Sequence, residues 1–515
     1  MPLVKLLDRS AVLSLLKNLD LGASVAEVDD ILYEARIETG TFWDLYKDSV
    51  DLVPGTKGSG KSALYRLFVK HLRSYLLEQR KVVLAHGVES QGDQLFQLFT
   101  DQFERLPETR FQNFWYVYFV SLINEVLLKS PEYSQLLANC DAEILNFRLQ
   151  CSRARIPDVK APQSFKGIIE WCLNAILKLM PRRIQFPVTD DGKQLTLDWG
   201  EAVEETDSPG KKDDDSESPL YIPDIRSALN AILTKANLTV WLMLDKLDEL
   251  FPRWSKVERT GLRALLRAMY AFRDERIRVK VFLRDDIFEH LTSGDDGFPG
   301  LTHIGARMTS SLNWKIDDIM HLIVKRVFAS NELAVACEVD KSRMEANQDY
   351  REECFYKAFP EQVHSGTRRP QTLGWIYTRC QDGKKVVTPR DIIDLLLLTR
   401  DAEVELLSAN PEGTCNSLFS PTAIETGFKK MSQRKRDIFL QAEFPHFREY
   451  ILRFENGPAI YSEEALAEMF KKQADNIVDQ LVRIGFLERK KNGSYTYIVP
   501  FLYRPAFGIR QVRSK

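Results

Sequence analysis

The chain has 515 residues and a mass of 59.4 kDa, a length that at about 150 residues per domain points to about three domains. It is 44% hydrophobic and 28% charged, and 71 basic residues against 73 acidic ones leave a formal net charge of −2. So even a balance excludes a whole-protein polyanion binder and confines any nucleic-acid surface to a local patch. The most apolar stretch, 115–128, is interrupted by Ser121, Asn124 and Glu125, so no membrane-spanning helix is expected. The opening MPLVKLLDRS lacks the apolar core of a signal peptide. Seven scattered cysteines without a CxxC pair fit neither a disulfide framework nor a zinc site. A soluble, cytoplasmic protein is the expectation.

In chain order, helical patterns cover 11–18 and 25–36, and 49–54 reads as a buried strand running into glycines. From 61 to 77, Leu64, Leu67, Phe68, Leu72 and Tyr75 recur at helical spacing, and 81–85 follows as a strand. Strand, glycine turn, helix, strand begins a parallel α/β unit. Residues 91–186 read as mostly helical around the aromatic FQNFWYVYF segment, and 189–218 holds 11 acidic residues against three lysines. That charge predicts a solvated loop, so 91–220 is expected to be a helical insertion. The core resumes with a helix at 224–235, strands at 238–244 and 276–283, and a basic helix between them. Helices at 316–329, 351–359, 371–381 and 391–404 predict a lid over 311–420. The last has an N-cap threonine, Thr388, then Pro389 at its first position and Asp391 in its first turn. Over 421–515, helices at 421–429, 433–442, 463–470 and 475–484 precede two short strands around Asn492-Gly493, a hairpin signal, which predicts a winged helix.

The chemistry is carried by GTKGSGKS, Gly55 to Ser62, which satisfies GxxxxGK[ST] between a predicted strand and a predicted helix. Gly55, Gly58 and Gly60 let the backbone N–H groups of Thr56, Lys57, Ser59 and Ala63 curve around phosphate oxygens. The helix start adds its positive end, Lys61 a charge for the β and γ phosphates, and Ser62 a hydroxyl for Mg2+. The apolar strand ending at Asp245 supplies the carboxylate that such a loop requires, acting on Mg2+ through water. Past it, Glu249 or Asp248 is the candidate general base; the alternative is an acidic helix cap. Arg284, at the end of the next strand, is the candidate sensor of the γ-phosphate, or else a partner for Asp285, Asp286 or Asp248. Arg390 is placed to reach the phosphates from the lid, and Arg307 to act on a neighbouring subunit.

The P-loop, the strands ending DKLDE and FLRDD, and the lid resemble the AAA+/STAND branch of P-loop ATPases. The nearest likeness is to a bacterial family with an LGxSxAE-like lead-in (Leu21 to Glu27 here) and a GxKGSGKS loop. Its lid signature stands as Asn313-Trp314 with Asp317, Asp318 and Arg326, its PRD helix start as Pro389-Arg390-Asp391, and its ending as 485–500. The resemblance implies an α/β, ASCE/AAA+-like P-loop core with a parallel sheet, in the parts 1–90, 91–220, 221–310, 311–420 and 421–515. It implies an ATP- and Mg2+-dependent ATPase that oligomerises and controls a separate effector protein, in a setting often linked to antiviral defence. It also implies that residues 38–46 help to hold the adenine. The family usually has a small residue after the first acid, where Lys246 stands here, and a lysine pairing with the acids there would slow turnover. Two alternatives stay open: an AAA+ ATPase that contacts DNA through its winged helix, and an ATP-binding scaffold with little turnover. Residues 481–515 carry a charge of +7, with Arg489, Lys490 and Lys491 on the wing. The seven histidines are scattered and show no metal-site spacing.

Overall fold

A computed structural model describes residues 7–87, 108–153, 156, 183–185, 196–198, 222–247, 251, 254–293, 298, 301–471, 474–492 and 494–513. Asp248 and Glu249, and all of the acidic stretch 189–218 but 196–198, lie outside them. Among the described residues no helix is long and apolar enough to cross a membrane.

The core is a parallel four-stranded sheet, built from strands short enough and apolar enough to be covered on both faces. The P-loop strand Leu52–Gly55 pairs with Ile277–Arg284, which pairs with Thr239–Leu244, which pairs with Val82–His86. One strand therefore separates the P-loop strand from the acid-ended one, the order of an ASCE-type P-loop core in an α/β fold. A fifth, irregular edge is added where the sequence shows no strand pattern. Leu52 bridges Met308 in parallel, and the Thr309 and Leu312 N–H groups donate to the Leu52 and Pro54 carbonyls at 3.1 Å each.

The strand Ile277–Arg284 reads as apolar but carries Lys280, which is fully buried. Its ammonium donates to Asp48, to the Val50 carbonyl at 2.6 Å and to Asp51 at 3.0 Å, and stands 4.8 Å from the Trp241 ring centre. Arg307 donates to Asp51 at 2.6 Å and also holds Asp48. The guanidinium expected to act on a neighbouring subunit is held within its own chain, beside the start of the P-loop strand.

The aromatic segment forms part of the sheet's cover. Helix Glu108–Ile123 packs on helix Lys256–Phe272, with Phe111, Trp115, Val117 and Phe119 buried in the same core as Val240, Leu242 and Val281. Trp115 Nε1 donates to the Gly261 carbonyl at 2.8 Å. The start of the expected insertion is therefore one layer of the α/β core, because its aromatic face has the sheet to bury against. Within the acidic surroundings, Arg183–Gln185 and Thr196–Asp198 pair as short antiparallel strands.

The N-terminal helix Arg9–Lys17 belongs with the lid. Val12 and Leu16 share a core with Ile319, Ile392 and Leu396, and strand Leu7–Asp8 pairs with Thr414–Cys415. The lid helix Pro389–Ala409 begins as its sequence predicts, with Thr388 capping the Asp391 N–H at 3.2 Å and Pro389 in the first turn. Two lid helices without a clear pattern, Asn331–Ala336 and Lys341–Ala346, complete the bundle. Helix Pro421–Ile438 runs unbroken where two were expected, since Gln433 interrupts its apolar stripe and not its backbone. It continues into a π turn, Phe439–Glu443. Gly427 lies so close to the neighbouring helix that a Cβ would meet Thr399 Oγ1 at 2.5 Å.

C-terminal to it, strand Pro458–Ser462, helices Glu463–Phe470 and Ala474–Arg483, and strands Glu488–Asn492 and Ser494–Ile498 follow in turn. The hairpin registers Asn492 against Ser494, and its second strand pairs with Pro458–Ser462, which also carries Arg510–Arg513. One hydrophobic core runs continuously from the lid into this unit, from Ile392 through Phe428 to Phe486 and Phe507.

Candidate functional site: a phosphate cradle under the lid

The strand Leu52–Gly55 delivers the P-loop to the sheet's C-terminal edge, where ligands of parallel sheets bind. Gly58 and Gly60 have φ of +82° and +98°, which side-chain-bearing residues rarely adopt. Gly60 thereby caps helix Lys61–Arg66, and at Gly58 a Cβ would crowd Arg390 Cβ at 3.1 Å and Thr388 Oγ1 at 3.3 Å. The helix widens into a π turn at Leu67–His71 before Arg73–Arg80 resumes it. Lys61 Nζ sits inside the loop and donates to the Gly55 and Thr56 carbonyls at 2.6 and 2.8 Å. The Thr56 and Ser59 hydroxyl oxygens are buried without a hydrogen-bond partner.

Over this loop lies a cavity of about 500 Å³, which Lys57 to Ala63, Asp245, Arg284, Trp314 and Arg390 help to line. The lid reaches it at two points. The Arg390 N–H donates to the Gly58 carbonyl at 3.4 Å, and Trp314 Nε1 donates to the Ser59 carbonyl at 2.8 Å. Arg390 Nε is buried without a hydrogen-bond partner, so a guanidinium with unused donor capacity overhangs the loop.

The third wall is the lead-in. The helix expected over 25–36 is absent; a 3-10 turn, Ala26–Val28, stands there instead. Tertiary contacts override the local preference. Asp29 forms a pair with Arg326 at 2.5 Å whose side chains are 2% and 3% exposed, and Arg326 also donates to the Leu21 carbonyl at 2.7 Å. Gly22 leaves room for this pair: a Cβ there would meet Asp29 Oδ1 at 2.1 Å. The wall that this creates uses Ala23–Glu27, Leu32, Ala35–Ile37 and Thr39. The expected adenine segment 38–46 therefore contributes Thr39, while Phe42 and Leu45 of helix Gly40–Tyr46 are buried with Phe68 in the core.

Asp245 follows the end of strand Thr239–Leu244 and faces the cavity, as does Ser62. Lys246, in left-handed backbone with φ of +55°, forms an ion pair with Glu27 at 2.6 Å. The acids Asp248 and Glu249, with which it is expected to pair, lie outside the described residues. Arg284 lines the cavity at the end of the strand between P-loop and acid, and Asp286 holds its guanidinium at 2.9 and 2.5 Å. Of the two sequence readings for Arg284, the pairing one is realised, without removing it from the cavity. Asp285 is engaged by Ser311 at 2.6 Å, and burial pushes its carboxyl above the ordinary range. The described residues thus bring together Gly55 to Ala63, Asp245, Arg284 and Arg390.

Glu443 is the residue that sequence reasoning missed. It ends the π turn Phe439–Glu443, which no apolar period signals, and accepts an ion pair from Lys57 at 3.3 Å. Burial alone would raise its carboxyl; Lys435, Lys57 and Arg284 together hold it low. Lys435 in turn binds Asp391 at 3.0 Å, and Asp391 accepts from Thr388 at 2.8 Å. The P-loop is so linked to the C-terminal unit and to the lid cap. Glu443 occupies Lys57, so for a nucleotide in this cavity Glu443→Gln is expected to tighten binding by freeing the ammonium. With Lys57 part-exposed, the gain is about 3- to 10-fold, read by equilibrium titration with a fluorescent ATP analogue. Weaker binding in that variant would contradict the competition.

No protein-family model matches the sequence, and no curated protein matches it. Among solved structures, the chain aligns with the ORC2 protein of Aeropyrum pernix in its ADP form at 12% identity, over 90% of each chain, with a TM-score of 0.31. It aligns with Cdc6p of Pyrobaculum aerophilum at 14% identity, over 58% of this chain and 72% of that one, with a TM-score of 0.20. Likenesses at this level carry no functional argument; the strand order and the geometry of the cradle do.

Proposed function

We propose that the chain binds ATP with Mg2+ in the cradle under the lid and hydrolyses it. The single observation that supports this most is Arg390, whose Nε is buried and unpartnered over a left-handed glycine loop that holds Lys61. Unpaired buried donors cost about 1–3 kcal/mol unless a ligand satisfies them, and a phosphate chain supplies charge-assisted acceptors. In this reading Lys61 balances the β and γ phosphates. Arg284, oriented by Asp286, marks the γ end, and Arg390 couples occupancy to the lid. Ser62 and Asp245 are the residues that would hold Mg2+, which supplies charge neutralisation between the phosphates. Glu249 or Asp248 is assigned to orient the attacking water.

We assign the C-terminal unit as a winged helix, on its order of strand, two helices and a hairpin. Its link to the P-loop through Lys57 and Glu443 favours a switch, in which nucleotide state changes how the unit sits. The test is ATP binding and phosphate release with and without Mg2+. The proposal requires Mg2+-dependent turnover that Asp245→Asn reduces by about 10²-fold or more; turnover unaffected by that change would contradict the assignment.

A further inference from the structure

On the lid, away from the cradle, four arginines gather at its seam with the C-terminal unit. Arg368 and Arg369 are exposed on the loop before helix Thr372–Arg379; Arg379 ends that helix; Arg504 follows the last strand of the hairpin. Two of them lie over the Phe501 ring, the Arg379 guanidinium carbon at 4.9 Å from its centre and that of Arg504 at 3.9 Å. Arg379 also stacks on Trp375 at 4.2 Å. Burial and the neighbouring charges of Arg369 and Arg504 push the Arg379 guanidinium down to about 10.

Surface arginines usually find carboxylates, and these do not. Among the described residues none of the four forms an ion pair. Of the carboxylates whose charge reaches Arg379 and Arg504, Glu425 is engaged by His364 at 3.0 Å and Glu488 by Lys385 at 2.5 Å. Arg504 uses Nε on the Val499 carbonyl at 2.8 Å, which leaves its two terminal nitrogens. The loop is also fixed in advance. Gln362 donates to the Gly366 and Arg369 carbonyls at 3.2 and 2.9 Å and accepts from the Gly366 N–H at 3.1 Å, and the Arg369 N–H closes the turn on Gly366 at 3.0 Å. Gathering like charges on a rigid turn costs stability, and an anion offsets that cost.

We propose that this seam binds the phosphodiester backbone of a nucleic acid. Stacking on Phe501 and Trp375 holds guanidinium planes by their faces and leaves in-plane N–H edges, the geometry that grips phosphate in bidentate fashion. Guanidinium edges that grip phosphate read no base, so binding is to backbone without sequence preference. On the wing, two of the three basic residues are already paired. Arg489 is paired with Asp479 at 2.7 Å and Lys490 with Glu488 at 3.3 Å.

The test uses the full chain, with fluorescence anisotropy of a random-sequence DNA duplex, the matching single strand, and polyglutamate as competitor. Four phosphate contacts give a log–log salt slope of about −3 to −4 for duplex, and about −3 for single strand. Arg368→Gln with Arg369→Gln, both exposed, should make the duplex slope shallower by about 2 units and leave ATP binding unchanged. Arg379→Gln should remove about one more unit, and if it unfolds the chain the double change alone decides. Arg489→Gln with Lys490→Gln should leave the slope unchanged. An unaltered slope in the double variant, or equal displacement by polyglutamate, would overturn the proposal.

Discussion

Replacing Lys61 by alanine should remove nucleotide binding and turnover together while leaving the fold intact. The Lys61 ammonium sits inside the P-loop on the Gly55 and Thr56 carbonyls, where an incoming phosphate chain would share it. Without it, the loop offers a polyanion of several charges only its dipoles and Lys57, which Glu443 already holds. Loss of one aimed group in a water-poor site costs about 10²–10³-fold in rate, and the lost ground-state attraction adds to that in kcat/KM. Thermal stability should change little, because glycine geometry and the Trp314 and Arg390 contacts to Ser59 and Gly58 still shape the loop. Arg390→Ala should give a smaller defect, about tenfold, since Arg390 adds to a charge that Lys61 already supplies. Phosphate release and analogue titration on the same preparations separate the two, and a larger loss for Arg390→Ala than for Lys61→Ala would reverse the assignment.

The second large effect is on stability. Asp51→Ala should destabilise the chain by about 3–5 kcal/mol, the cost of breaking a buried pair from one side. Asp51 is 4% exposed and faces Lys280, which is 0% exposed, as well as Arg307. Lys280→Met should cost less, because Asp51 keeps Arg307 and Asp48 keeps Arg278 and Arg307. Burial raises the Asp51 carboxyl, but Arg307 and Lys280 outweigh it and leave the carboxyl below its ordinary value of 3.8. A depressed folded value means that the stabilisation is complete above 3.8 and is lost as pH falls through the lower folded value. Urea titrations near neutral pH and below pH 4 test both parts. The cluster matters to function because Asp51 and Leu52 also donate their N–H groups to the Arg307 carbonyl at 2.7 and 3.2 Å, which fixes the strand that presents the P-loop. A loss for Lys280→Met that equals or exceeds that for Asp51→Ala would contradict this account.

The P-loop, the acid-ended strand and the lid helix start were legible because each is local. A glycine pattern, an apolar run and an N-cap are written in consecutive residues. What failed to show was set by distant partners. The lead-in 25–36 has helical spacing, yet Arg326 and Lys246, far along the chain, bind Asp29 and Glu27 and bend it into a wall. The edge at 307–312 has no alternation because it borrows its hydrogen bonds from Leu52 and Pro54. The FQNFWYVYF segment looked like a separate insertion since nothing local says that its aromatic face meets Val240 and Val281. Lys280 breaks the pattern of a buried strand, and a lone lysine in such an apolar run signals buried carboxylates elsewhere, here Asp48 and Asp51. Glu443 had no such signal, since the π turn that aims it at Lys57 arises from packing against the core.

The central claim is that the cradle hydrolyses ATP. Phosphate release by wild type, Glu249→Gln and Lys61→Ala, with bound analogue measured in parallel, tests it most directly. The account predicts turnover in wild type, binding without turnover in Glu249→Gln, and neither in Lys61→Ala. Wild-type protein that binds ATP yet releases phosphate no faster than either variant would contradict it.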